Sequence, residues 1–156
     1  MSNVDPMPAE HGPLVPMLGL KNCAKAIAFY KDAFGATEEF RLVETSGKIG
    51  HAELRIGGAV ISVSDEYPDY GCLSPLSIGG TPVKFQLYVP DVDAAIAQAV
   101  QAGASLVRPL RNEFYGDRTA TVADPFGYSW QLSSRIEKVT PSEMQARWDR
   151  AMAGQA

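Results

Sequence analysis

Strict alternation runs through residues 83–89, where Lys84, Gln86 and Tyr88 interleave with Phe85, Leu87 and Val89. A period of two sends successive side chains to opposite faces, so this segment is a strand with one face on a core and a polar face turned away. The period then changes. Val92, Ile96, Ala99 and Val100 recur at helical spacing behind Asp91, a helix-capping residue, and Gly103 supplies the stop. Extended segments follow at 105–111, 118–123 and 128–133. Between the last two stands Asp124-Pro125-Phe126-Gly127, with Asp first, Pro fixing φ at the second position and Gly fourth. That is a type I turn joining antiparallel strands.

The same order occurs upstream. Displaced by 69 positions, so that Asn22 falls on Asp91, the chain lies on itself without a gap. Leu18 then meets Leu87, Ala26-Ile27-Ala28 meets Ala95-Ile96-Ala97, Gly47 meets Gly116, and Gly58 meets Gly127. In this first copy Asn22 caps a helix with Ile27, Tyr30 and Phe34 along one side and Gly35 as its stop, followed by extended segments at 38–44, 51–56 and 59–64. The repeat predicts an α+β fold of two tandem βαβββ modules. Each exposes a sheet face that its single helix covers only in part, and side by side the two sheets form paired concave surfaces.

The boundaries follow. A flexible N-terminal tail occupies 1–13, module 1 spans 14–66, a connector 67–81, module 2 82–135, and a C-terminal helix and tail 136–156. A connector of that length, carrying Tyr67 and Tyr70, suggests a lid or binding loop. The last helix opens with a capping box, Thr140 as cap, Pro141 at its first position and Glu143 at its third, and carries Met144 and Trp148 on one side.

Composition narrows the partners. A chain of 156 residues, 46% hydrophobic and 21% charged, suits one compact domain. It has no apolar run of membrane-spanning length, and a net charge of −4 with no basic stripe argues against nucleic acid. Cys23 and Cys72 are too few and too far apart for a disulfide framework, and no secretion signal is visible. A cytoplasmic protein is expected, with no membrane and no nucleic-acid partner.

Several motifs carry a family likeness. Met17-Leu18-Gly19-Leu20 followed by Ala26-Ile27-Ala28-Phe29-Tyr30 and Phe34-Gly35-Ala36 resembles the opening of the vicinal oxygen chelate superfamily, which includes glyoxalases, extradiol dioxygenases, fosfomycin-resistance enzymes and bleomycin-binding proteins. Gly50-His51-Ala52-Glu53-Leu54, Ser74-Pro75, Gly79-Gly80-Thr81-Pro82-Val83, Phe114-Tyr115-Gly116-Asp117-Arg118 and the Asp124 turn are similar to its PhnB-like branch. The resemblance covers about residues 14–146. It implies a paired βαβββ fold with mixed sheets, a homodimer, and a ligand cleft in the concave face. It also implies where relatives hold a divalent metal, and those positions here are Val15, Ser62, Lys84 and Gln131. A divalent ion needs imidazole nitrogens or carboxylate oxygens, and an ammonium at one vertex repels it. No metal and no cofactor are therefore expected, which argues against glyoxalase and dioxygenase chemistry.

The remaining candidates form a ligand site. Lys84, Gln86 and Tyr88 share the strand face that lines the cleft in relatives, with Ser62 and Gln131 nearby as hydrogen-bonding groups. Lys84 either takes an anionic or carbonyl group of a ligand or pairs with an acidic neighbour. Phe114 and Tyr115 offer an aromatic wall and Arg118 a forked guanidinium at the cleft mouth. Against that stands a Gly-Asp hairpin turn with core aromatics. Trp130 alternates with Gln131 and points to the helix side, while Tyr128 is placed on the other side of that alternation. His51, Lys84 and Tyr88 are the candidate acid–base groups, although a strand histidine without an evident orienter also fits a structural role.

The function expected from these residues is metal-free binding of a small molecule, sequestering an aromatic or polycyclic metabolite or antibiotic. Two alternatives stay open. One is a metal-free lyase or isomerase using Lys84, Tyr88 or His51. The other is a metal-dependent lyase with unorthodox ligands such as His51, Glu53 and Gln131.

Overall fold

The computed structural model describes residues 4–154, so the expected tails at 1–13 and 136–156 each extend outside the described residues, at 1–3 and 155–156. In module 1 the elements are β1 (Met17–Leu20), α1 (Cys23–Phe34), β2 (Thr37–Val43), β3 (Ile49–Ile56) and β4 (Ala59–Asp65). Module 2 repeats them as β5 (Lys84–Tyr88), α3 (Val92–Ala102), β6 (Ser105–Asn112), β7 (Asp117–Ala123) and β8 (Ser129–Arg135). Between them lie a 3-10 turn at Pro68–Tyr70 and the short α2 (Pro75–Ile78), and α4 (Pro141–Ala153) closes the chain. Among the described residues no helix is long and apolar enough to cross a membrane.

Each module makes a four-stranded mixed sheet, ordered β1-β4-β3-β2 and β5-β8-β7-β6. The first strand runs parallel to the last, and the other pairs are antiparallel. The caps act as the sequence predicts. Asn22 accepts from the Lys25 amide and Asp91 from the Ala94 amide, satisfying amides that the first helical turn leaves without partners. Gly35 ends α1 at φ 65°, a left-handed conformation that a Cβ disfavours.

The alternation on β3 shows which face meets the core. Ala52, Leu54 and Ile56 are buried against the helix side, while His51, Glu53 and Arg55 turn to the open face. The modules meet through their helices. From α1, Tyr30 and Phe34 pack on Trp130 of β8, with ring centroids 5.5 and 4.6 Å apart, and Phe29 packs on Phe126 at 5.8 Å. Burial of a side chain of that size contributes about 1.5–3 kcal/mol. Inside this apolar junction the Asp124 carboxylate accepts from the Tyr30 hydroxyl at 2.7 Å and the Trp130 indole at 2.9 Å. Its other oxygen accepts from the amides of Phe126 and Tyr128, each at 2.9 Å.

The two mixed sheets are those the repeat predicts, and among the described residues no strand of one hydrogen-bonds a strand of the other. One expectation changes: the connector is a strap rather than a lid. Ser74 is fully buried and caps α2, its amide donates to Glu66 at 2.7 Å, and the Tyr67 hydroxyl donates to Glu44 at 2.6 Å.

Candidate functional site

On sheet 1 the open face is built by β1, β3, β4 and β2 in register. Met17 stands beside Ser62, Ser62 beside Glu53, Phe40 beside Glu53 and Leu42 beside His51. Met17, Phe40 and Leu42 are 80%, 44% and 60% exposed, so the face offers apolar surface to whatever covers it. Ser62 is buried and lines a small cavity of about 70 Å³ with His51, Met17 and Cys72. The His51 Nε2 lies 3.5 Å from Glu53 Oε1, a long contact, and its ring sits 5.5 Å from Phe40. Glu53, on the same strand face, is thus the acidic group nearest His51, at the outer limit of a hydrogen bond. Arg55 turns instead to Glu39 at 2.8 Å and to the Glu10 carbonyl at 3.0 Å, which ties part of the N-terminal tail to this face.

Sheet 2 presents a polar face. Gln86 donates to Ser133 at 3.2 Å, and Gln131 donates to the Tyr115 hydroxyl at 3.4 Å. Tyr88 donates to Asp117 at 2.6 Å. That bond, then burial, pushes the Tyr88 hydroxyl above its ordinary pKa, so it stays protonated at neutral pH with its hydrogen held by Asp117. Burial and the Glu113 charge push Tyr115 the same way. Lys84 is exposed, and among the described residues it has neither an ion pair nor a hydrogen bond. The acidic neighbour that would neutralise it is absent from this chain's described contacts.

Three expected residues stand elsewhere. Arg118 lies on the helix side of β7, where its guanidinium grips Asp93 of α3 at 2.7 and 2.8 Å and Asn112 at 3.0 Å. The β7 alternation explains this: Asp117 and Thr119 take the open face, so Arg118 between them cannot. Phe114 turns towards α4, with ring centroids 5.6 Å from Trp148. Tyr128 is buried on the same side as Trp130, its hydroxyl donating to the Gly19 carbonyl at 3.1 Å, and burial pushes its pKa up to about 12.

Other residues went unseen in the sequence. Asp117 is only 3% exposed and holds Tyr88, while Glu113 gathers Arg111 at 2.6 Å and Thr119 at 3.1 Å. Alternation along β7 was the available signal for Asp117; Glu113 sits in a hairpin, where no period applies. Cys23 is no nucleophile, because burial and then the Asp65 charge push its thiol up to about 12.

The four positions where relatives hold a metal divide between the sheets. Val15 and Ser62 belong to module 1, Lys84 and Gln131 to module 2, and among the described residues no hydrogen bond or ion pair links the pairs. A hydrocarbon, a hydroxyl, an ammonium and an amide do not fit a divalent cation. Nor does any group of three His, Cys, Asp or Glu side chains among the described residues form a metal cage.

A sequence profile described as the Glyoxalase/Bleomycin resistance protein/Dioxygenase superfamily matches residues 15–132, which reach into both modules. The chain belongs to this superfamily. Among its relatives, an uncharacterized Mycobacterium bovis protein is 42% identical over 136 residues, covering 85% of this chain and 90% of that protein. The X-ray structure of the Arabidopsis thaliana At5g48480 product is 31% identical with a TM-score of 0.62, covering 77% of this chain and 96% of that one. TioX from Micromonospora sp. ML1 is 27% identical with a TM-score of 0.61, covering 79% and 98%. The match thus covers the helices and strands of both modules as far as the middle of β8.

Proposed function

We propose that the protein is a metal-free receptor of the glyoxalase/bleomycin resistance fold, in its PhnB-like branch, that sequesters a small aromatic or polycyclic metabolite or antibiotic. One observation carries the reading. Lys84, an exposed cation without a partner among the described residues, stands at a metal-ligand position of the family. There it repels a divalent ion and is available to an anionic or carbonyl group of a guest. Tyr88 and Tyr115 add rings on the same face, and stacking on such rings contributes about 0.5–1.5 kcal/mol beyond area burial.

Among the described residues no strand pairing joins the apolar face of sheet 1 to the polar face of sheet 2. The reading therefore includes a homodimer in which the sheet 1 face of one copy closes over the sheet 2 face of its partner. The free cysteines suit a reducing compartment, and the reading includes a cytoplasmic location.

A thermal-shift screen of aromatic metabolites and natural-product antibiotics tests the proposal. A ligand that raises the melting temperature equally with and without chelator, and loses its effect in Lys84→Met, supports it. Stoichiometric tight binding of Mn, Ni, Zn or Fe, or no stabilisation across a broad set, overturns it. The Tyr88–Asp117 bond favours a second reading, a lyase or isomerase in which Tyr88 gives a proton to the substrate. Tyr88→Phe that abolishes turnover of a discovered substrate while keeping its affinity selects that reading.

A further inference from the structure

The segment after β8 completes a second cleft. It has a volume of about 240 Å³ and opens to solvent between the far end of the sheet 2 open face, the strand-to-helix strap at 136–139 and the first turn of α4. Its walls include Tyr88, Tyr115 and Asp117 from the matched residues, with Arg135, Lys138 and Met144 from beyond residue 132. The walls are held in place. Ile136 and Glu137 both donate their amides to the Gly116 carbonyl, at 2.9 and 3.0 Å. From α4, Arg147 grips Glu137 at 2.6 Å and donates to the Phe114 carbonyl at 3.0 Å.

The chemistry of the cavity is divided. Asp117 is almost wholly buried: Oδ2 accepts from Tyr88, while Oδ1, which no donor among the described residues reaches, is not sealed from solvent. An oxygen so placed is open to a guest that brings a hydrogen-bond donor. Arg135 and Lys138, on the same cavity, have no ion pair among the described residues, while the Glu137 carboxylate that also lines it is taken by Arg147; a guanidinium with an ammonium suits a carboxylate. Asp117 and Arg135 are directly paired across β7 and β8. The Cβ atoms of such a pair are about 5 Å apart, so both side chains start beside each other on the same cavity. The Tyr88 and Tyr115 rings and Met144 supply an apolar wall for its side chain.

We propose that this cavity is a binding site for a free α-amino acid with an aromatic or apolar side chain. Asp117 Oδ1 takes its ammonium, Arg135 and Lys138 take its carboxylate, and the tyrosine rings take its side chain. The site lies at the opposite end of β5 from Lys84 and needs no second copy; it shares the Tyr88 and Tyr115 rings with the receptor reading above but uses neither Lys84 nor the dimer.

Calorimetric titration of the full chain tests it with L-phenylalanine, and with phenethylamine and phenylpropionate as its two half-charged analogues. Saturable binding of L-phenylalanine is expected, with each analogue at least about tenfold weaker, a loss of about 1.4 kcal/mol. Replacing Arg135→Gln and Lys138→Gln together should weaken L-phenylalanine by a similar factor and leave phenethylamine unchanged. Asp117→Asn should do the converse, affecting phenethylamine and sparing phenylpropionate. The Arg135/Lys138 pair is exposed, so that variant remains a test if Asp117→Asn fails to fold. No saturable binding up to millimolar L-phenylalanine, equal affinity for phenethylamine, or binding unchanged in the Arg135→Gln, Lys138→Gln variant overturns the proposal. Because neither replacement touches Lys84 or Gln131, a failure here leaves the receptor reading standing.

Discussion

Asp124 does two jobs with one carboxylate. Its Oδ1 shapes the turn through the Phe126 and Tyr128 amides, and its Oδ2 fastens module 1 to module 2 through Tyr30 and Trp130. Burial and then the Asp124 charge hold the Tyr30 hydroxyl well above its ordinary pKa, so it stays a donor. Asp124→Asn keeps the size and one carbonyl oxygen but sets an amide NH2 against two donors. A loss of about 2–5 kcal/mol is expected, read as a fall in the urea midpoint of tryptophan fluorescence. The first job could be read from Asp-Pro-Phe-Gly alone, because a turn is local chemistry. The second could not, since Tyr30 is 94 residues away and only the folded chain brings it near.

Among the elements, β2 and the β6–β7 hairpin carry the clearest consequences. Glu38 of β2 takes Arg41 at 2.6 Å and Lys31 of α1 at 3.1 Å, and the Arg41 bond leads in lowering its pKa to about 2. A carboxyl with a depressed folded pKa contributes stability above about pH 4.5, its unfolded value, and loses it as pH falls towards 2. Wild type should therefore lose more stability than Glu38→Gln between those limits in pH-dependent urea titrations. Its partners are exposed, so the difference stays below about 1 kcal/mol and shrinks with salt.

Gly116 combines φ 93° with a Cβ position only 2.5 Å from the Glu137 carbonyl oxygen. Gly116→Ala must push the strap away, at an expected cost of about 2–4 kcal/mol. Limited trypsin digestion should then cut faster at Arg135 and Lys138. That glycine was visible as a turn residue matching Gly47, but its close approach to the strap was not, because the repeat ends before the strap begins. Strands and caps were read to within a residue or two. The strap-like connector was misread because buried Ser74 and its bond to Glu66 leave no periodic trace.

At the level of the whole molecule, duplication has produced two frames of one design with unlike open faces. The repeat disclosed the frames, since shared caps and turns survive a displacement along the chain. It could not disclose how they meet: the apolar sides of α1 and α3 serve both their own sheets and each other, and a one-dimensional pattern does not distinguish the two. If the homodimer forms as proposed, light scattering should report twice the mass of the 16.8 kDa chain. Leu42→Asp with Phe40→Asp, placing two charges on the sheet 1 face, should return it to monomer without a matching loss of helical signal.

The riveted connector has a kinetic corollary. With Ser74, Glu66, Tyr67 and Glu44 bonded as they are, no flap has to swing aside before a guest arrives. Stopped-flow traces should be single-exponential, their observed rate climbing in proportion to guest concentration without reaching a plateau.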